Sequence, residues 1–281
     1  MKRIRSVVLF FNSKRRRALT CAAAIERRLR SGGAKVQRVC VNDAACDLAK
    51  GVDAAVAVGG DGTVLYAARH VIARGLPVLG INAGGLGFLS GAEQKEFLAA
   101  AGGFLRGEFR TIERSLLSVS VLRRGRAVSG PLPALNDCVI RSSEARAFTL
   151  RASFGGKFLS EYFGDGLIVS TPSGSTAYSL AASGPIVMPD LEVFLLSPIC
   201  PHTLTHRPIV LSAAADLRLE VHGGRYGPQR LTLSLDGQEN FSLENGDTVV
   251  VRRHARPFRM LTPRGFSYFD ILRRKLSWGE R

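Results

Sequence analysis

Several things this chain of 281 residues lacks narrow what it can be. No apolar stretch approaches the roughly 18 to 20 residues that a membrane span needs, so a bilayer-spanning helix is not expected. The five cysteines (Cys21, Cys40, Cys46, Cys138 and Cys200) are odd in number and form no CxxC pair. Neither a disulfide framework nor a zinc site is therefore expected, which fits a reducing compartment and leaves the thiols as small core residues. The Gly-x-x-x-x-Gly-Lys-Ser/Thr pattern is absent, which excludes a P-loop NTPase. His-Glu-x-x-His is absent too, and the five histidines are scattered, so histidine-metal catalysis has no support. After Gly85-Leu86-Gly87 comes Ser90, where a dinucleotide fingerprint needs Gly or Ala, and no acid is suitably placed beyond it. A hydride-transfer nicotinamide site is therefore not expected. No internal repeat or low-complexity segment is visible.

Acidic residues are also scarce. Asp and Glu number 23 against 39 Lys and Arg, a formal net charge of +16. Such a balance suits a nucleic-acid binder, a membrane-surface protein or an enzyme of polyanionic substrates. The basic residues are mostly dispersed arginines with one cluster at Lys14 to Arg17. Neither an aromatic-interleaved basic stripe nor a helix-turn-helix pattern accompanies them, so neither a nucleic acid nor a membrane is an expected partner. Met1 to Phe11 has the basic and apolar character of a signal peptide, but Asn12-Ser13-Lys14-Arg15-Arg16-Arg17 cuts the apolar region short. The expectation is a cytoplasmic chain that begins with a strand.

With 46% hydrophobic and 22% charged residues, the rest is an ordinary globular composition with ample length for a core. Residues 4–11 read as a buried strand. Residues 14–31 carry Leu19, Ala22, Ala23, Ile25 and Leu29 at helical spacing, stopped by Gly32-Gly33. Strands at 36–41 and 54–58 follow, then a helix running to about Arg74-Gly75, a strand at 77–81, and a helix over 93–106. Strand alternating with helix implies a doubly wound, Rossmann-like parallel sheet, with ligands at the carboxyl ends of its strands. Beyond about Phe109 the pattern turns to short strands: 116–122, 135–141, 147–154, 158–163, 193–196, 217–221, 231–235, 241–243 and 248–252. Gly155-Gly156, Asp236-Gly237 and Asn245-Gly246 mark turns, which argues for an all-β, sandwich-like second domain. The division is 1–110 for the α/β domain, 111–255 for the β domain, and 256–281 for a closing segment packed back on the α/β domain. In that segment Phe269, Leu272 and Leu276 stand at helical spacing.

Three stretches carry chemistry. The apolar run 54–58 ends in Gly59-Gly60-Asp61-Gly62-Thr63, with a helix starting immediately after. Glycines there let backbone N–H groups approach an anion, and the helix N-terminus favours negative charge. Asp61 in that turn is equally a base beside a phosphate or a helix cap. The stretch Gly164 to Tyr178 puts an acid, several hydroxyls and an aromatic in one turn between a strand and a short helix. It suits a ribose or carboxamide and a stacked base, or else a Ser/Thr-rich loop with a cap. Asn136-Asp137 lies in an apolar strand pattern, where such a pair either closes a buried network or faces a ligand.

The order and content of these stretches resemble the NAD kinase family. The resemblance is carried by Gly-Gly-Asp-Gly-Thr at 59–63, Leu86 to Leu89, Asn136-Asp137, Asp165 to Tyr178, Pro198 to Leu204 with Arg207-Pro208, Leu235 to Gln238, and Lys275 to Trp278. It covers nearly the whole chain. Gly-Gly-Asp-Gly alone also occurs in phosphofructokinases and in diacylglycerol or sphingosine lipid kinases, so a lipid kinase and a basic nucleic-acid-binding module are the competing readings. The Asp165 to Tyr178 stretch discriminates.

The resemblance implies phosphorylation of the adenosine-ribose 2′-hydroxyl of NAD, with ATP or polyphosphate as donor and Mg2+ or Mn2+ as cation. It implies Asp61 as general base or orienter, and Gly59, Gly60, Gly62 and Thr63 as phosphate cradle. Asp61, Gly62, Asn136, Asp137, Asp165, Thr176, Ala177, Tyr178, Ser179, Leu180, Ala181 and Gln238 would contact NAD, with Gly87, Phe88 and Ser173 as pocket wall. No metal ligand from the protein is assigned, and assembly as a homodimer or homotetramer is implied. Two positions depart from the pattern. Asp137 stands where many members have Glu, which keeps the charge and shortens the reach by a methylene. Phe163 stands where a basic residue is common, so no phosphate contact is assigned to it.

Overall fold

The computed structural model describes residues 2–41, 46–85, 87–144, 146–222 and 230–278. Leu86, part of the glycine-rich stretch singled out above, lies outside the described residues. The chain divides into two compact units: residues up to Glu113 together with those from Phe258 onward, and Arg114–Pro257.

In the first unit the strands form one sheet in the order Lys35–Cys40, Ser6–Phe11, Ala54–Gly59, Val78–Asn82, Phe258–Thr262, Arg110–Arg114, with Ala92–Glu93 also pairing to Val78–Asn82. The first four run parallel. Ala54–Gly59 is buried along its whole length, as a parallel strand covered on both faces must be. Helix Arg16–Ser31 turns Ala18, Cys21, Ala22, Ile25 and Leu29 inward, the i, i+3, i+4, i+7 stripe that buries one face. Its first turn is basic and has no side-chain cap, so packing of that stripe holds the helix against an unfavourable dipole term. Helix Gln94–Arg106 is better defined at both ends. A capping box of Glu93 and Glu96 opens it and Gly107, at φ 78°, closes it. Helix Asp61–Val71 starts directly at the end of Ala54–Gly59. Because Lys35–Cys40 lies on one side of Ser6–Phe11 and Ala54–Gly59 on the other, the strand order reverses here, and the Asp61 turn sits beside that switch point.

The second unit is two six-stranded antiparallel sheets. One runs Lys157–Gly164, Phe148–Phe154, Leu217–His222, Thr248–Arg253, Leu117–Arg123, Arg126–Ala134. The other runs Ile209–Ser212, Val193–Ile199, Gly166–Ser170, Asp137–Ser142, Leu231–Leu235, Glu239–Leu243. Alternate residues of both sheets meet in one core, Leu117, Val119 and Val121 from the first and Cys138, Ile140, Leu167 and Val169 from the second. The hairpin at Gly155-Gly156 has φ 55° and 78°, the positive pair that a tight two-residue turn requires.

The structure corrects the sequence reading in particular places. Arg126–Ala134 is a strand although it contains Gly130, Pro131 and Pro133. It lies at a sheet edge, where the missing proline donors interrupt no second ladder. Gly166–Ser170, read as part of a turn, is a fully buried strand between Asp137–Ser142 and Val193–Ile199. Arg110–Arg114, Ile209–Ser212 and Phe258–Thr262 are strands that short, charge-bearing or proline-flanked segments concealed. Among the described residues no helix is long and apolar enough to cross a membrane.

Candidate active site

Asp61 occupies the first position of its helix, with Gly60 as the N-cap residue. Its carboxylate is held from the loop that follows Val78–Asn82: Oδ2 accepts the Phe88 N–H at 2.9 Å and Oδ1 accepts the Leu89 N–H at 3.0 Å. Gly87 makes this possible, since a Cβ there would stand 2.0 Å from Asp61 Oδ1. Each carboxylate oxygen has a further lone pair, so the group is oriented yet still able to accept. Gly60 and Gly62 have nothing within 4 Å of where a Cβ would lie, which leaves open space over the turn. Two expected cradle residues do something else. Thr63 is buried and packs on Gly59, where a Cβ would be 2.3 Å from the Thr63 hydroxyl, so the pair closes the turn rather than lining it. Gly87 and Phe88 act through backbone, and the Phe88 ring has the Lys275 ammonium 6.0 Å from its centroid.

The second unit supplies a cavity of about 340 Å3 on the outer face of its second sheet. Asp137, Val139 and Arg141 alternate with the core residues Cys138 and Ile140, and so share that outer face. Ser234, the cross-strand partner of Val139, and Asn240, the partner of Ser234, extend the row. Asn136, Ala177 and Tyr178 complete one wall with the Asp236-Gly237 turn. Of the expected NAD contacts, Asn136, Asp137, Ala177 and Tyr178 thus converge.

The backbone at Asn136 is clamped from two sides. Asp236 Oδ1 accepts the N–H groups of Asn136 (2.7 Å) and Asp137 (3.1 Å), while Oδ2 accepts that of Leu135 (2.8 Å). On the other side the Thr171 hydroxyl donates to the Leu135 carbonyl at 2.6 Å, and the Thr171 N–H donates to the Asn136 carbonyl at 2.9 Å. Gly174 passes so close that a Cβ would lie 2.0 Å from the Asn136 carbonyl oxygen. Asn136 is 9% exposed and its Oδ1 is buried without a hydrogen-bond partner. A shielded amide oxygen of that kind is costly unless a ligand donor meets it. Asp137 is 5% exposed. Burial, and then the negative charge of Asp236, push its carboxyl up to about 7.

Other expected residues stand outside this lining. Asp165 is exposed at the opposite end of Gly166–Ser170 from Ser170, the partner of Asp137. The Thr176 hydroxyl donates to the Ser173 carbonyl at 3.2 Å, and Ser173 is buried with its own Oγ unpartnered. Ser179 is buried against Ser197, Oγ to Oγ 2.9 Å, which makes it a structural residue of the short helix Tyr178–Ala181. Leu180, Ala181 and Gln238 do not line the cavity, and the Gln238 N–H closes the hairpin onto the Leu235 carbonyl at 2.9 Å. Sequence reasoning missed Asp236, Arg141, Ser234 and Asn240. The period-2 register from Asp137 points to Arg141, whereas Asp236 was absorbed into an Asp-Gly turn signal.

An acid fixed at a glycine-rich strand end of an α/β unit, in one chain with an antiparallel sandwich bearing a polar pocket, suits a phosphotransferase acting on a hydroxyl. Comparison with known proteins gives the particular family. The profile described as the ATP-NAD kinase N-terminal domain matches residues 5–109, and that of the ATP-NAD kinase C-terminal domain matches residues 135–262. Proteins named NAD kinase from Geobacter sulfurreducens and Thiobacillus denitrificans are 45% and 43% identical over 82% and 84% of this chain, and over 80% of each of theirs. Two solved structures share the fold. A yeast NADH kinase complexed with NADH has a TM-score of 0.86 at 22% identity, covering 100% of this chain and 90% of its own. An Archaeoglobus fulgidus NAD kinase in complex with ATP has a TM-score of 0.80 at 24% identity, covering 98% and 100%. The chain belongs to the ATP-NAD kinase family, and NAD kinase activity is what that membership assigns to it.

Proposed function

We propose that this chain transfers the γ-phosphoryl group of ATP to the adenosine-ribose 2′-hydroxyl of NAD, with Asp61 orienting that hydroxyl and accepting its proton. The observation that carries the role is the carboxylate held by the Phe88 and Leu89 amides at the strand end, beside the open space over Gly60 and Gly62. Phosphoryl transfer passes through a loose transition state, so fixing the hydroxyl in line with the phosphorus and neutralising charge do most of the work. The open space over this turn admits phosphate oxygens to the positive end of a helix. The cavity of Asn136, Asp137, Ala177 and Tyr178 is a pocket of the second unit suited to NAD. There the Asn136 amide oxygen accepts a donor and Tyr178, 41% exposed, offers a ring face for stacking.

A divalent cation completes the proposal. The cation would be held chiefly by the donor's own phosphates, as magnesium commonly is. When bound it neutralises developing phosphate charge. Cytoplasmic location is supported by a cysteine pattern that suits a reducing compartment, assembly as a homodimer or homotetramer rests on the family resemblance, and light scattering of the purified protein tests the assembly.

The test is NADP formation from NAD, with ATP compared against polyphosphate, in the natural chain and in Asp61→Asn. A folded Asp61→Asn protein should lose about 10²- to 10⁴-fold in turnover. Near-normal turnover would remove Asp61 from the chemistry.

A further inference from the structure

The parallel sheet has a concavity at the edge where its strands begin. It encloses about 680 Å3 and is lined by Arg3, Arg5, Lys35 and Lys50, with Asp53 the one acid among the described lining residues. Ala54 starts the strand that delivers Asp61, so the two places are separated by the length of that strand, about 20 Å at roughly 3.3 Å per residue.

Three chain segments are locked together to form the concavity. The Lys35 N–H donates to the Arg5 carbonyl at 2.8 Å, and the Asp53 N–H donates to the Ser6 carbonyl at 2.9 Å. Asp53 Oδ2 accepts the N–H groups of Arg5 (2.8 Å) and Ser6 (2.9 Å), so this carboxylate is engaged with backbone. Arg3 and Arg5 are exposed on either side of the buried Ile4, which fixes the chain that carries them. None of the four cations is paired with a carboxylate among the described residues. Gly33 and Gly51 have open space where a Cβ would stand, which keeps the rim low.

Four unpaired cations in one concavity repel one another, and a multiply charged anion relieves that repulsion. Among the described residues no aromatic side chain lines the concavity, so none of them offers a ring for a base to stack on. A nucleotide base or single-stranded nucleic acid is ordinarily gripped by such stacking. We propose that this concavity binds a chain of phosphates without a base, at a site separate from the Asp61 turn.

The test is calorimetric titration of the full chain with tripolyphosphate, with ADP and NADP at saturation so that the reaction site is filled. One tripolyphosphate per chain should bind, more weakly as salt rises. The double variant Lys35→Glu, Lys50→Glu should bind at least tenfold more weakly while forming NADP at the natural rate, which also shows that it is folded. Absence of binding to the natural chain, or equal affinity in the double variant, would overturn the proposal and leave a solvated face. Tighter binding of a single-stranded oligonucleotide, lost in the same variant, would overturn it in favour of a nucleic-acid surface.

Discussion

Gly87 lies so close to Asp61 that a Cβ on it would stand 2.0 Å from Oδ1 and 2.7 Å from the carboxyl carbon. Gly87→Ala must therefore displace the carboxylate from the Phe88 and Leu89 amides that hold it. Misplacement of a reacting group by about 1 Å can cost on the order of 10²-fold in rate. Gly87→Ala should accordingly cut kcat by about that factor, leave the unfolding midpoint within a few degrees of the natural chain, and change the KM for NAD much less. A natural kcat in the variant would show that the orientation of Asp61 is unimportant.

Asp236 gathers three backbone N–H groups, those of Leu135, Asn136 and Asp137. It does so from a left-handed conformation, φ 51°, that Asp and Asn adopt more readily than other side chains. Asp236→Ala leaves those donors without this acceptor, at roughly 1 to 3 kcal/mol for each that stays buried and unmet. Asp236→Asn keeps the left-handed tolerance and one acceptor oxygen, and should be the milder change. Both should weaken NAD binding, read by calorimetry, and the alanine variant should also unfold at lower urea. Natural NAD affinity in Asp236→Ala would separate the Asn136 cavity from substrate binding.

How much of this was legible beforehand depends on the kind of signal. The α/β unit was readable because buried parallel strands are continuous apolar runs, as in Ala54–Gly59, and helices such as Arg16–Ser31 announce themselves by their stripe. Arg126–Ala134 was hidden because its prolines are breakers everywhere except at a sheet edge, and edge position is a tertiary fact. In the site, Asn136-Asp137 stood out as polar residues in an apolar pattern. Asp236 did not, because an Asp-Gly pair reads the same whether its carboxylate faces water or clamps a strand about 100 residues earlier. The grip of Phe88 and Leu89 on Asp61 is likewise a contact between separate loops, which no local pattern encodes.

Asp137 should make stability depend on pH. Burial first, and then the Asp236 charge, raise its carboxyl to about 7, against an ordinary value of about 3.9 in the unfolded chain. Between those two values the folded state holds a proton that the unfolded state has released. Its contribution is fully present below about pH 4, declines as pH rises, and is lost above about 7. The slope from this one group is at most about 1.4 kcal/mol per pH unit. Urea unfolding of the natural chain and Asp137→Asn across pH 5 to 8 isolates it. The variant should gain on the natural chain as pH rises to 7 and hold a constant lead above. A difference independent of pH would mean that Asp137 titrates normally.

Arg123 and Asp247 give the opposite sign. Burial alone would raise the Asp247 carboxyl, but the Arg123 hydrogen bonds, the Glu244 amide and the Arg123 charge outweigh it and hold the group below its ordinary value. The pair is bidentate at 2.9 and 2.8 Å, joining Leu117–Arg123 to the turn before Thr248–Arg253, and Asp247 is 1% exposed. Because the Arg123 side chain is one-third exposed, solvent screens the pair, and the loss in Arg123→Ala should be smaller than that of a fully buried pair. That stabilisation is present above about pH 4 and fades as pH falls through the depressed value. Thermal unfolding of Arg123→Ala and the natural chain at pH 7 and pH 3 should therefore show a gap at the higher pH that narrows at the lower. An equal gap at both would mean that Arg123 stabilises the sandwich by packing its stem and not through the carboxylate.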